Sequence, residues 1–162
     1  MHRFLLGLLL MVVAAVPAWS QVPASSTIGA AEDDSGLVAI PSKHSVVITT
    51  DRLVQGINNQ GLYLFARIDH RAGAEKVKLA MRPTELLIFG APKQGTLLIH
   101  QNQMIGLDLP MKFLVWETGS GEVFIAWNNP YYLAKRYGIP ENFEPLAQMG
   151  QSLSKLATAA AR

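Results

Sequence analysis

Two apolar runs, Met111 to Glu117 and Glu122 to Asn128, flank the tetrapeptide Thr118-Gly-Ser-Gly121. Both are rich in β-branched and aromatic residues, and the glycine-bearing linker between them specifies an antiparallel hairpin. A chain containing such a hairpin is not a strict β-α alternation, because a hairpin joins its strands without an intervening helix. Thr84 to Gly90 (TELLIFG) adds a strand that is apolar on both faces and therefore central. Leu62 to Asp69 adds one with clean alternation: Leu62, Leu64, Ala66 and Ile68 point one way, Tyr63, Phe65, Arg67 and Asp69 the other. Leu37 to Pro41 is a short first strand.

Helical signals fill the gaps. Ser45 caps a helix that runs to Gln60 before Gly61, with Leu53, Val54 and Ile57 on one face. Its β-branched Val46, Val47 and Ile48 move the start as late as Thr49 or Thr50. Ala72 to Ala80 reads as a short helical turn, and Thr96 to Gln103 as a helix capped by Thr96 with Gly106 beyond its end. Asn129-Pro130 opens another that closes at Tyr137-Gly138. The last carries Leu146, Met149, Leu153, Leu156 and Ala160 as one stripe, with a tail from Ala157 to Arg162 expected to fray. The order is β-α-β-β-β-β-α, which gives a two-layer α+β domain with an antiparallel sheet of about five strands packed with helices. The hairpin is apolar on both of its faces, so either helices cover both or a second copy shares one. A homodimer, or a ligand groove on the face bearing Tyr63 and Phe65, follows from that surplus.

The first twenty residues read as a signal peptide. His2 and Arg3 precede an apolar run from Phe4 to Val16, and Ala18 and Ser20 suit cleavage between Ser20 and Gln21. The run falls short of the ~20 residues an anchor needs. Residues 21–36 are small, polar and acidic and read as a flexible lead-in; residues 37–162 form a single domain. The expected location is periplasmic or secreted, with no membrane association after cleavage. Loss of Arg3 from 14 basic against 12 acidic residues leaves a formal charge of +1, no footprint for nucleic acid. The absence of cysteine excludes thiol catalysis and thiolate metal sites.

Motifs spread over Ser45 to Tyr137 give a resemblance. They are Asp51-Arg52-Leu53, Gly61-Leu62, Ile68-Asp69-His70 with Ala72 and Ala74, Arg82-Pro83-Thr84 through Gly90, Pro92-Lys93 and Gly95-Thr96. Gly106-Leu-Asp-Leu-Pro110, Trp116-Glu117 and Asn128-Asn129-Pro130 with Leu133 complete the set. Together they make the chain similar to domain-of-unknown-function family 302, small bacterial and archaeal proteins, some of them exported. The resemblance implies a two-layer α+β domain and carries no assigned activity. Ala91 stands where an asparagine is expected of the family, and Ile99-His100 replaces an apolar-Met stretch.

Several groups are candidates for chemistry. Asp69-His70 at a strand end suits an acid orienting an imidazole; equally, Asp69 caps the turn into Ala72-Gly73-Ala74 and His70 locks it. The turn Gly90 to Gly95 with Lys93, ahead of Thr96, suits an anion or is an ordinary capped turn. His100 and Met104, four apart on an expected helix, suit a copper-type ion with His44, Met81 or Met111 as further ligands. Trp116, Trp127, Tyr131 and Tyr132 suit a pocket floor or a core. The reading these support is an exported domain that binds a small ligand or a partner without catalysis, through Asp69, His70, Arg67, Lys93 and Thr96. Two alternatives stand beside it: a hydrolase- or isomerase-like enzyme using His70 as base and Asp69 as orienter, and a periplasmic metal carrier built on His100 and Met104. No motif names a cofactor.

Overall fold

The computed structural model describes residues 35–162; the expected signal peptide and all but the end of the expected lead-in lie outside them. The elements are β1 (Leu37–Ser42), α1 (Val46–Asn59), β2 (Tyr63–Asp69), α2 (His70–Lys76), β3 (Thr84–Gly90) and α3 (Pro92–Gln101). A 3₁₀ turn (Gln103–Leu107) leads to β4 (Met111–Glu117), β5 (Val123–Asn128), α4 (Pro130–Arg136) and α5 (Glu144–Ala161). The strands form one sheet in the order β1-β5-β4-β3-β2, every pairing antiparallel. The α+β architecture expected from the hairpin is the observed one, with β3 inside the sheet and β2 at an edge.

One face of the sheet carries the core. Leu87, Phe89, Phe113, Val115, Ile125 and Trp127 meet Leu53 and Ile57 of α1 and Leu146, Leu153 and Leu156 of α5, all buried. Phe113 stacks on Phe89 at 4.9 Å between ring centroids and meets Trp127 edge-on at 5.6 Å, the offset and T-shaped geometries aromatic quadrupoles favour. Helices α1 and α5 cross at Gly56, where a Cβ would come within 2.8 Å of Leu156 Cδ2. Glycine there leaves room for the Leu156 side chain against α1. The opposite face carries Leu86, Ile88, Leu114, Trp116 and Phe124, half-buried, with Trp116 stacked on Phe124 at 5.6 Å.

Four local expectations change. The alternation of β2 breaks at Phe65, a β-bulge: Leu64 pairs with Phe89, but Ala66 pairs with Ile88. One inserted residue reverses the facing of everything after it. Leu64 therefore shares the helix-covered face with Phe89, whereas Ala66 and Ile68 lie on the other face. Arg67 turns to the side of Leu87 and Glu85. Helix α2 starts at His70 rather than Ala72, because Asp69 supplies its cap. Helix α3 starts at Pro92 rather than Thr96: proline fits the first helical position, and Thr96 falls in the second turn. The end of α5 does not fray. Ala157, Ala160 and Ala161 are buried, Lys43 N–H donates to the carbonyl of Ala161 at 2.9 Å, and Arg52 Nη2 donates to that of Ala159 at 2.9 Å.

Candidate functional site

The two ends of β2 differ in chemistry. At its C-terminal end, Arg67 Nε donates to Glu85 Oε2 at 2.5 Å and Nη1 donates to Asp51 Oδ1 at 2.6 Å. Glu85 is 6% exposed, so the guanidinium neutralises a carboxylate that has lost most of its water. Hydrogen bonding to Glu85 is the main cause that pushes the Arg67 pKa above its ordinary value. Asp69 lies directly across from Glu85 in the strand pairing, and its Oδ1 accepts from Ala72 N–H at 2.9 Å. That is the capping role weighed above. His70 is the exposed first residue of α2, and no hydrogen bond joins it to Asp69 among the described residues.

At the other end a pocket of about 250 Å³ opens between sheet and helices. Leu62 and the bulged Phe65 form one side, and Phe89, Gly90 and Ala91 at the end of β3 form the floor. Pro92, Gln94, Gly95, Thr96 and Ile99 of α3 wall it opposite Met149, Ser152 and Leu153 of α5, and the segment Gly106 to Met111 closes it. Not one Asp, Glu, His, Lys, Arg or Tyr lines it. Two of its three polar side chains have partners: Ser152 Oγ donates to Gln60 Oε1 at 2.6 Å, and Gln94 Nε2 donates to Gln148 Oε1 at 3.3 Å. Gly95 is the telling wall residue. It sits inside α3, where alanine would be favoured, yet a Cβ there would meet nothing within 4 Å. A helix that carries glycine without a packing reason leaves room on that side.

The 102–112 wall is held from outside. Tyr137 O–H donates to Asp108 Oδ2 at 2.5 Å, Arg136 lies 3.4 Å from the same oxygen, and Lys112 Nζ donates to the carbonyls of Asp108 and Pro110 at 2.9 and 3.0 Å. Asn102 Nδ2 donates to the Tyr137 carbonyl at 2.9 Å. The hydrogen bond to Asp108 raises the Tyr137 pKa, keeping the phenol protonated as donor.

The structure thus separates the expected site residues. Of the five, Thr96 lines the pocket, and Lys93 stands exposed between the lining residues Pro92 and Gln94. Arg67, Asp69 and His70 belong to the charged end. His100 sits in the last turn of α3, whereas Met104 lies in the separate 3₁₀ turn, 64% exposed, because Asn102 breaks the helix between them with an extended backbone and caps the turn through its side chain. Among the described residues no group of three or more His, Cys, Asp or Glu is placed to hold a metal ion. Sequence reasoning missed Ile99, Leu109, Pro110, Met149 and Leu153, which look like core in any local pattern. The surplus aromatic Phe65 was the available signal. Ala91 and Ile99, two of the positions where the chain departs from its expected family pattern, both face this pocket.

The family model described as "Domain of unknown function DUF302" matches residues 38–160, and the chain belongs to that family. The structure is similar to a solved protein of that family, an uncharacterized conserved protein from Bacillus stearothermophilus. The TM-score is 0.69 at 18% identity, covering 78% of this chain and 98% of that one. At that identity the likeness establishes the fold. Curated relatives similar to this chain include "Fluoride-specific ion channel FluC 1" of Brucella suis biovar 1 (strain 1330), 46% identical over 106 residues. The match covers 65% of this chain and 42% of that relative. "Fluoride-specific ion channel FluC 2" of Brucella melitensis biotype 1 (strain ATCC 23456 / CCUG 17765 / NCTC 10094 / 16M) is also 46% identical over 106 residues, covering 65% of this chain and 39% of its own length. The chain spans about two fifths of the length of these curated relatives. No helix among the described residues is long and apolar enough to cross a membrane.

Proposed function

We propose that this member of the DUF302 family is an exported binding domain without catalysis, and that its site is the pocket between β2, β3, α3 and α5. One observation carries the reading: a pocket with no titratable side chain in its lining has no general acid, no general base and no means of activating Ser152 or Thr96. Ser152 donates its proton to an amide oxygen, not to an imidazole. What remains is a shape that takes up a small apolar body and orients it with a few polar groups, the usual make-up of a ligand site. A catalytic use of His70 and Asp69 is less well supported, since the carboxylate already serves as a helix cap. A metal carrier on His100 and Met104 is less well supported, since the two residues lie in separate elements and Met104 stands exposed.

The channel relatives bear on the setting. The 106 matched residues outnumber the 34 that precede the described region, so the likeness runs through residues that form no membrane-crossing helix here. We take ion conduction to belong to the remaining length of those relatives, and this chain to supply a domain that works beside a membrane. The half-buried apolar face with Leu114, Trp116 and Phe124 fits pairing with a second copy.

Native mass spectrometry of the full chain purified from its own host, compared with Gly95→Phe, tests the site. The expected result is a retained small organic molecule on the unaltered protein that the variant lacks, with the variant still unfolding cooperatively. A molecule retained equally by both would overturn it.

A further inference from the structure

Resting on that pocket, we infer that its ligand is a single aliphatic chain, that of a fatty acid or of a membrane lipid, entering past Phe65 and the Gly106–Leu109 wall. The chemistry of the lining selects the class. With no cation facing inward, an anion seated there would lose its water without compensation, and this excludes fluoride itself as the occupant. A methylene loses nothing by leaving water, and each one buried strengthens binding about fourfold.

The volume suits a ligand of modest size. About 250 Å³ corresponds to roughly eight water-sized groups at ~30 Å³ each, so a chain of about eight to ten carbons fills it. Unbranched, flexible Met111 and Met149, with Leu62, Leu109 and Leu153, mould to a linear partner better than a rigid slot would. Gly90, Gly95 and Gly106 line the pocket without side chains, and a Cβ at Gly95 or Gly106 would meet nothing within 4 Å.

The mouth gives the third observation. Phe65 is 56% exposed; Leu107, between the lining residues Gly106 and Leu109, is 79% exposed. Tyr63, whose ring lies 6.4 Å from that of Phe65, is 62% exposed. Large exposed apolar side chains in the lining or next to it in sequence mark a surface suited to being covered. A chain whose far part continues outward, or a lipid layer from which it is drawn, covers them.

Calorimetric titration of the full chain with hexanol, octanol, decanol and dodecanol, with sodium decanoate, and with sodium fluoride is the test. Affinity should rise about fourfold per methylene and level off near ten carbons. Decanoate should bind, fluoride should not, and Gly95→Phe or Gly106→Phe should weaken decanol at least tenfold. Co-sedimentation with phosphatidylcholine vesicles separates the sources. Binding that Leu107→Asp abolishes identifies membrane lipid; decanoate binding without vesicle binding identifies free fatty acid. An affinity independent of chain length, or one that neither glycine variant alters, overturns the inference. If the alkanols fail while Gly95→Phe still strips a molecule retained by the purified protein, the pocket survives and the aliphatic ligand does not. If that molecule is also unaffected, both fall.

Discussion

Strand β2 joins two regions built on opposite principles. At its C-terminal end, Asp51, Arg67, Asp69 and Glu85 satisfy one another and the first turn of α2, so their charge is spent on structure. At its N-terminal end, side chains and backbone from five segments leave a space that none of them fills. The charged end attracts attention in a sequence because acids, arginine and histidine are the residues that do chemistry. In the folded chain the acids and the arginine are already occupied, and His70 stands exposed. The proposed site is therefore marked by unfilled apolar space and not by concentrated polarity.

Breaking the charged end should produce the largest effect. Arg67→Ala strands Glu85, 6% exposed, without its partner, and should cost about 2–4 kcal/mol of stability in urea unfolding. Glu85→Gln in the same chain should recover part of the loss, while decanol affinity at a temperature where the variant is folded stays within about twofold. A loss below about 0.5 kcal/mol would show that the pair is not structural.

Much of this was readable in advance, and what was not has a physical reason. The hairpin, the central β3, the α1 cap at Ser45 and the α5 stripe follow from local pattern, and each is where the sequence places it. The bulge at Phe65 was not readable, because period-two alternation looks the same whether or not a residue is squeezed out of the ladder. That single insertion turns Arg67 to the side of Leu87 and Glu85 and leaves Phe65 at the pocket. The start of α3 at Pro92 was not readable from Thr96, because a threonine and a proline each offer a helix start and local pattern does not choose between them. The pocket combines residues from Leu62 to Leu153, most of them indistinguishable from core by type. Only their failure to fill the space distinguishes them, and that is a property of the assembled fold.

A smaller contrast sharpens the same point within the Asp-His pair. Asp69→Ala removes the cap of α2 and should cost about 1 kcal/mol. His70→Ala, at an exposed first helical position, should change stability by less than about 0.5 kcal/mol. Neither should alter decanol binding by more than about twofold. Equilibrium unfolding and calorimetry on the two variants read both quantities, and a larger loss of affinity on His70→Ala would move the site to the charged end.

The most direct test of the central claim is the pH dependence of binding of decanol, which carries no charge of its own. With no titratable group in the lining, the affinity should stay flat from about pH 5 to about pH 9 in the folded protein. A step or bell with a midpoint in the histidine range, abolished by His70→Ala, would contradict the account and return function to Asp69 and His70.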